Sequence, residues 1–284
     1  MKEKPNRLRA RLKTEAQKSP AVFGVYVVLR LIVIAILVSS VLRAEYEGAF
    51  ICLLVLFLFL LPMFVQKNFG IELPSTLEII ILVFIFASEI LGELGCFFIH
   101  FPHWDTILHT TSGFLCAAFG FALIDILNRS DKIKFQLSPI YVALVAFCFS
   151  MTIGVLWEFF EFGMDRLFGM DMQKDTVITS LTSVMLDPTN KNIPVTIDGI
   201  TSVVVNGQEL GFGGYLDIGL YDTMEDLFVN FIGALIFSIF GYFYIKQRGK
   251  GRIARAFIPT LSESENEAQK NEQAYTQEAE LPDR

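Results

Sequence analysis

The sequence predicts an all-α integral membrane protein with six transmembrane helices and a small β-meander cap in an outer-face loop. Apolar residues make up 53% of the chain, with 28 phenylalanines, and the mean hydropathy is +0.50. Charged residues collect in blocks and leave six nearly charge-free runs of the roughly 17–25 residues that a helix needs to cross a bilayer. Helices are expected in these runs because an unpaired backbone group in lipid costs several kcal/mol.

The predicted spans together form a membrane domain over residues 21–245. They run approximately over Ala21–Leu42, Ala49–Val65, Ser75–Ile99, Thr106–Leu127, Pro139–Phe162 and Glu225–Ile245. The first is predicted to stay as an anchor, because its apolar run exceeds the 7–15 residues of a signal peptide. A basic segment (1–20) precedes the domain. A tail (246–284), first basic and then acidic, is predicted to be disordered because its acidic part has almost no large apolar residue.

Lysine and arginine near the span ends predict the orientation, since cytoplasmic loops carry an excess of both. They concentrate before the first span, in the loop with Arg129, Lys132 and Lys134, and after the sixth span. Both termini are therefore predicted to be cytoplasmic, in the plasma membrane of a bacterium. The net charge of −7 is dominated by the acidic tail and therefore says little about partners. For a protein with several membrane spans, membrane lipids are the expected partners, and no nucleic acid is expected.

The outer loop, 163–222, contains the stretch VTIDGITSVVVNGQEL. Asp198-Gly199 and Asn206-Gly207 are dipeptides typical of β-hairpin turns, and β-branched residues flank them. A meander of two or three short strands is predicted there. Each of the four cysteines falls in a different span, so neither a disulfide nor a cysteine-based zinc site is expected.

Ionisable residues cluster at one end of the predicted spans. They recur three or four residues apart, which places them on one face of each helix. The set comprises Glu89, Glu93, Asp105, His109, Glu158, Glu161, Asp165, Asp222 and Asp226, with Asn230 one turn further in. Acids and histidines at membrane depth are costly and usually functional, so a shared polar site at the outer face is predicted.

Several carboxylates held close together need compensation, because like charges a few ångströms apart do not all ionise. A divalent cation is one solution: Mg²⁺, Mn²⁺ or Ca²⁺ by the oxygen donors, with Zn²⁺ or Fe²⁺ added by an imidazole. The candidate metal ligands are Asp105, His109, Glu158, Asp222 and Asp226, and Glu158 or Glu161 is the candidate catalytic base. Protons shared between the carboxylates would also compensate their charge, as would an ion pair with the buried base Arg30. Asp222 also fits a plain helix N-cap.

Four stretches, DTILHTTSGF, WEFFEFGMD, DMQKD and GGYLDIGLYDTMEDLFVNFIGA, resemble the YjdF-type family of bacterial inner-membrane proteins. The resemblance runs from the second predicted span through the sixth. It implies supporting roles for Trp157, Gln173 and Asp175 around the site. Glu89, Glu93, Asp165 and Asn230 are supporting candidates because of their helical spacing. A weaker similarity links Asp226, Asn230 and Gly233 to VanZ-like membrane proteins. Neither resemblance implies a reaction.

Three function classes fit this pattern. The leading one is an intramembrane, metal-assisted hydrolase or transferase acting on a lipid or lipid-linked envelope substrate. The second is a small proton- or ion-coupled transporter that uses the same acids as a relay. The third is a non-catalytic membrane protein whose polar cluster only orders the helices. The chain shows no Walker loop, dinucleotide fingerprint or serine-nucleophile motif, which argues against ATP-driven and NAD-dependent chemistry.

Overall fold

Eight α-helices form most of the computed structural model, which describes residues 19–69, 71–129, 137–247 and 256–261. They are α1 (Pro20–Leu42), α2 (Tyr46–Leu58), α3 (Leu61–Phe69), α4 (Ser75–Ile85), α5 (Phe97–His100), α6 (Trp104–Arg129), α7 (Pro139–Phe168) and α8 (Leu220–Lys246). The basic residues 1–18, the loop lysines 132 and 134 and the acidic tail after 261 lie outside the described residues. Predictions made for them stay predictions.

Five helices within the described residues are long and apolar enough to cross a membrane, and the protein is therefore polytopic. They cover Pro20–Leu42, Tyr46–Asn68, Trp104–Ile124, Pro139–Phe168 and Leu220–Lys246. All five coincide with predicted spans, although α7 runs six residues past the predicted end at Phe162. A sixth span is not confirmed.

The third predicted span differs from a regular helix. After α4 the chain continues as a π-helix, Phe86–Leu94, and then turns at Gly95 and Cys96. Cys96 takes a left-handed backbone conformation with φ 55°, so the helix stops before the predicted end at Ile99. An apolar run predicts that a segment is buried, but it does not predict whether the backbone bonds are those of an α-helix or of a π-helix. Short π-helical segments are frequent at functional sites.

Contacts divide the chain into two compact units, Met1–Thr152 with Val229–Arg284, and Ile153–Phe228. The first unit is held by two apolar clusters. One contains Val33, Cys52, Val55, Phe59, Leu82, Ile85 and Ile90 from α1, α2, α4 and the π-helix. The other contains Leu77, Ala117, Ala118, Phe121, Val142, Ala146, Ala234, Phe237 and Ile258.

Glycines let α6 and α8 approach each other closely in the first unit. A Cβ atom on Gly233 would collide with the carbonyl oxygen of Thr110, and one on Gly113 would lie 2.8 Å from Oδ1 of Asn230. The hydroxyl of Ser150 donates to the Gly113 carbonyl at 2.7 Å. Small residues at helix contacts are the usual basis of close packing in membranes. Close packing of the two helices therefore accounts for the glycines in the TSGF and NFIGA stretches.

The second unit contains six of the eight short strands, arranged in pairs. They are β2 (Val177–Ile178), β3 (Leu181–Ser183), β4 (Val195–Ile197), β5 (Val204–Val205), β6 (Gln208–Glu209) and β7 (Tyr215–Leu216). The pairs are β2 with β7, β3 with β4 and β5 with β6, all antiparallel. A 3₁₀ turn, Val184–Leu186, follows β3.

Only one of the two predicted hairpin turns joins adjacent strands. Asn206 and Gly207 have φ values of 51° and 81°, as a two-residue hairpin turn requires, and they connect β5 to β6. Asp198 and Gly199 follow β4, but β4 pairs with β3, which precedes it in the chain. This dipeptide therefore does not connect two paired strands. The loop therefore forms separate strand pairs and not the single meander that was predicted, and a cap on the outer face is not confirmed.

The predicted disordered tail contains one short ordered segment. Strand β8 (Thr260–Leu261) pairs with β1 (Ile71–Glu72) in the first unit, and Ile258 is 1% exposed. Composition predicted disorder because the acidic part of the tail has almost no large apolar residue, but the apolar run AFIPTL precedes that part.

Candidate functional site: a buried carboxylate cluster

Three acids from two helices meet in the second unit. Glu158 and Glu161 lie on α7, and Asp226 lies on α8. Each offers one carboxylate oxygen to a group in which all such atoms lie within 4.8 Å of one another. Their exposed fractions are 4%, 7% and 3%, so the cluster is closed to solvent. We call these three residues the carboxylate cluster.

The spacing of the two glutamates explains why both reach the cluster. Residues three apart on an α-helix lie on the same face, one turn above the other. Glu158 and Glu161 are three apart, and the intervening Phe159 and Phe160 are exposed, with relative accessibilities of 67% and 48%. One face of α7 is therefore acidic and buried, whereas the other presents aromatic rings.

Trp157 supports the cluster directly. Its indole N–H donates to Oε1 of Glu161 at 2.9 Å, and its ring packs beside Phe160 with 5.3 Å between centroids. The donor and acceptor are four residues apart, so the bond runs along one face of α7. A fixed donor of this kind orients a carboxylate, as partners outside the ligand shell do at metal sites.

The donor set fits a hard divalent cation. Ca²⁺ and Mg²⁺ bind carboxylate oxygens at about 2.0–2.6 Å, so two oxygens on one ion lie at most about 4–5 Å apart. The carboxylate cluster meets that limit. Three buried carboxylates otherwise need shared protons, because their mutual repulsion and desolvation both oppose ionisation. The cluster can therefore hold a cation or hold protons.

A second predicted pair belongs to the first unit. Nε2 of His109 lies 3.5 Å from Oδ1 of Asp105, with side chains 13% and 33% exposed respectively. The two residues are four apart on α6, as the sequence predicted. They form a local carboxylate–imidazole pair, and their participation in a site shared with Glu158 stays a prediction.

Asp222, predicted as a metal ligand, bonds to the loop backbone in the second unit. Its Oδ2 accepts the backbone N–H of Lys174 at 2.8 Å. Gln173, a predicted supporting residue, donates its side-chain amide to the hydroxyl of Thr223. The groups of acids and histidines close enough to hold a metal do not include Asp222 among the described residues. Its partner lies 48 residues earlier in the chain, so spacing alone could not reveal this role.

Asp165 also holds the loop backbone. Its two carboxylate oxygens accept the N–H groups of Met172 and Gln173 at 2.6 and 2.9 Å. Asp217, which sequence reasoning did not single out, accepts from Thr176 and Tyr221 at 2.7 Å each. These acids fold the chain that leaves α7 and enters α8.

Asp175 lies on the exposed surface of the same loop. Desolvation raises the pKa of its carboxyl, and the negative charges of Asp171, Asp217 and Asp165 raise that pKa further. Asp175 thus supports the predicted site only as part of an acidic surface, and its side chain is exposed.

The remaining predicted residues lie in the first unit. Glu89 is half-buried and Glu93 is exposed on the π-helix. Asn230 is 2% exposed, and its amide donates to Sδ of Met151 at 3.6 Å. Asn230 thus stabilises the contact between helices. Arg30, considered as a counter-charge, stacks its guanidinium 4.0 Å from the ring centre of Tyr26.

Sequence reasoning missed Asp187, the best hydrogen-bonded acid of the loop. Oδ1 accepts the backbone N–H and the hydroxyl of Thr189, at 2.8 and 2.7 Å. Oδ2 accepts the N–H groups of Lys191 and Ile193. These bonds, led by the Thr189 hydroxyl, lower the pKa of Asp187 to about 2. The sequence signal is an Asp-Pro-Thr turn followed by two asparagines, Asn190 and Asn192, with left-handed backbone conformations.

The comparisons with known proteins agree with this architecture. The profile of a family described as "Predicted membrane protein (DUF2238)" matches residues 25–247, and the chain belongs to this family. An uncharacterized protein of Thermotoga maritima is 26% identical over 106 residues, which cover 37% of this chain and 53% of that protein. The chain thus spans about half the length of this relative. No solved structure matches. The comparisons give no support to the similarity with VanZ-like proteins, and the YjdF-type resemblance stays a prediction.

Proposed function

We propose that the carboxylate cluster binds one divalent cation and that the protein is an intramembrane, metal-assisted hydrolase or transferase. The observation that carries the proposal is the grouping of Glu158, Glu161 and Asp226 within 4.8 Å at exposures below 8%. Water normally stabilises carboxylates, and burial removes it. A cation of charge +2 offsets that loss, and the spacing of the oxygens suits one.

The chain's own residues would share the work of the reaction. Glu158, Glu161 and Asp226 would hold the cation, and Trp157 would keep Glu161 in position. A bound cation lowers the pKa of its water and so supplies a nucleophile at neutral pH. The carboxylate oxygen of Glu158 or Glu161 that is not bonded to the cation would accept the proton of that water as general base.

The substrate class follows from the surroundings of the site. Exposed aromatic rings on α7, among them Phe159, Phe160 and Phe162, belong to a helix apolar enough to lie in a bilayer. A substrate that reaches the acidic face of such a helix carries a hydrocarbon part itself. We therefore propose a lipid or lipid-linked envelope substrate, with the plasma membrane as the location.

Thermal unfolding of the detergent-purified protein tests the cation directly. Chelator should lower the midpoint, and Mg²⁺, Mn²⁺, Ca²⁺ or Zn²⁺ should restore it. A ligand at a hundredfold excess over its dissociation constant stabilises by about 2.7 kcal/mol. The same midpoint under all conditions, in wild type and in Glu158→Gln, would end the metal proposal.

A proton- or ion-coupled transporter is the second candidate, because the same buried carboxylates can share protons. The half-buried pair of Asp105 and His109 favours this class, since paired acids and histidines inside a membrane commonly mark proton relays. Transport that depends on pH, and that His109→Ala abolishes without any change in metal content, would select the transporter over the enzyme. The non-catalytic alternative predicts neither effect.

We also infer six spans, with α4 and the π-helix together forming the third. Together they run without a break from Ser75 to Leu94, 20 residues, about the number that a spanning helix needs. Six spans leave both termini on the same side, which the Lys/Arg pattern predicts to be cytoplasmic, and the strand pairs of 177–216 on the opposite side. A cysteine introduced by Asn190→Cys should react with an impermeant maleimide in intact cells whose outer barrier has been opened. Protection there, with labelling of the C-terminal tail, would overturn the topology.

A further inference from the structure

Beyond α8, a short described segment of the chain packs against the helices of the first unit. α8 ends at Lys246, and the described chain resumes at Ala256. There β8 pairs antiparallel with β1, with Ile71 opposite Leu261 and Glu72 opposite Thr260. Ile71 itself is 1% exposed. The segment 256–261 is thus fixed at one edge by backbone pairing.

Two side chains of this segment insert among the helices. Ile258 is 1% exposed and belongs to the apolar cluster formed by α4, α6, α7 and α8. The ring of Phe257 meets the ring of Phe114 edge to face, at 5.6 Å between centroids. Phe114 makes a second edge-to-face contact with Phe237 at 5.1 Å. The segment therefore lies within the aromatic core of the first unit.

The position of Phe114 shows how far the segment penetrates. Phe114 is the eleventh residue of α6, which at about 1.5 Å per residue places it roughly 15 Å from the start of that helix. The hydrocarbon core of a bilayer is about 30 Å thick, so Phe257 reaches near its middle. Backbone that is not helical is tolerated at that depth only when protein buries it, and the burial of Ile258 and Pro259 meets this condition.

The apolar cluster that contains Ile258 combines large side chains with four alanines. Ala117, Ala118, Ala146 and Ala234 are all at most 1% exposed in this cluster. Alanine cannot extend, so withdrawal of Phe257 and Ile258 would leave an apolar cleft within the cluster. Among the described residues, strand pairing fixes the segment at two positions. An element paired at so few backbone positions can open locally without global unfolding.

We propose that residues 256–261 are a displaceable inner plug of the membrane domain. When seated, the plug closes the route from the end that the Lys/Arg pattern predicts to be cytoplasmic toward the Asp105–His109 pair, which lies about one and a half to two and a half turns from Phe114 on α6. When displaced, the plug opens that route. The proposal stands on the first unit alone and does not depend on a cation at the carboxylate cluster.

Thiol labelling of the full chain tests whether the plug shields the cleft. Ala234→Cys places a thiol in the apolar cluster that contains Ile258, and Ile236→Cys places one on the exposed side of the same helix, where Ile236 is 43% exposed. Weakening the plug with Phe257→Ala and Ile258→Ala together should raise the rate of N-ethylmaleimide labelling at position 234 at least tenfold. The rate at position 236 should change less than twofold. Equal rates at position 234 with either plug sequence would overturn the proposal.

Hydrogen exchange on the unsubstituted chain decides whether the plug moves, even if the weakened variant folds poorly. Amides of 258–261 should exchange at least tenfold faster than those of α6 around Ala117 and of α8 around Ala234. A disulfide formed after Glu72→Cys with Thr260→Cys should remove that difference. Exchange of 258–261 as slow as that of the two helices would show a fixed part of the core, and the plug would be refuted.

Discussion

Acidic residues lie in two regions of the second unit, and the two regions use them differently. At the end of α7 and in the loop that follows it, Asp165 and Asp187 accept hydrogen bonds from several backbone N–H groups. In the carboxylate cluster, Glu158 and Asp226 lie beside other carboxylates and are almost wholly buried. A carboxylate that accepts several N–H bonds is stabilised as an anion by the protein itself. Carboxylates that are grouped in a buried site repel one another when ionised, and a cation or a proton relieves that repulsion. The neighbours of an acid, and not its position in the sequence, distinguish a folding role from a candidate chemical role.

The largest expected effect comes from removing one cluster carboxylate. Glu158→Gln should weaken cation binding at least about 100-fold, since even partners outside the ligand shell contribute 10–100-fold. Trp157 lies against Glu161, so its fluorescence reports binding once Trp104→Phe has removed the other tryptophan. The matched control is Asp222→Asn, which should change affinity less than threefold because Asp222 bonds to the Lys174 backbone. If cation affinity fell equally in both variants, acids of the cluster and acids that bond to the loop backbone would not differ in function.

A smaller effect is expected from the indole that holds Glu161. Trp157→Phe keeps the aromatic ring but removes the N–H donor, so cation affinity should fall about tenfold while the unfolding midpoint without metal stays nearly constant. Calorimetric titration measures this variant, because the fluorescent reporter is lost. Trp104→Phe is its control and should bind as the wild type does. An unchanged affinity would mean that the Trp157–Glu161 bond does not orient a ligand.

The smallest effect on binding is expected in the loop, where Asp187 should matter for local order alone. Its pKa is lowered to about 2, against a usual value of 3.8, so its stabilising effect is complete above about pH 4 and disappears as the pH falls toward 2. Protease cleavage within 187–193 should accelerate over that range. Asp187→Asn should cleave faster at pH 7 and lose the pH dependence, with cation affinity unchanged. A loop that is equally resistant at pH 2 and pH 5 would contradict the assignment.

Much of this organisation could be predicted from the sequence, because its signals are local. Apolar runs located the spans, the Asn206-Gly207 dipeptide located a hairpin, and helical spacing placed Glu158 and Glu161 on one face. The sequence did not reveal the features that depend on partners distant in the chain or on the hydrogen-bond register of the backbone. Asp222 bonds to a residue 48 positions away, the π-helix leaves no trace in an apolar run, and Ile258 is buried by helices that begin far upstream. The convergence of Asp105 and His109 with the carboxylate cluster remains a prediction of helical spacing.

Direct metal analysis tests the central claim, that the carboxylate cluster is a cation site. Purified wild-type protein, Glu158→Gln and Asp222→Asn would each be dialysed against the same buffered Mg²⁺ or Mn²⁺, and bound metal counted per chain. We predict one ion per chain in the wild type and in Asp222→Asn, and close to none in Glu158→Gln. The same metal content in all three proteins, whether one ion or none, would contradict the account.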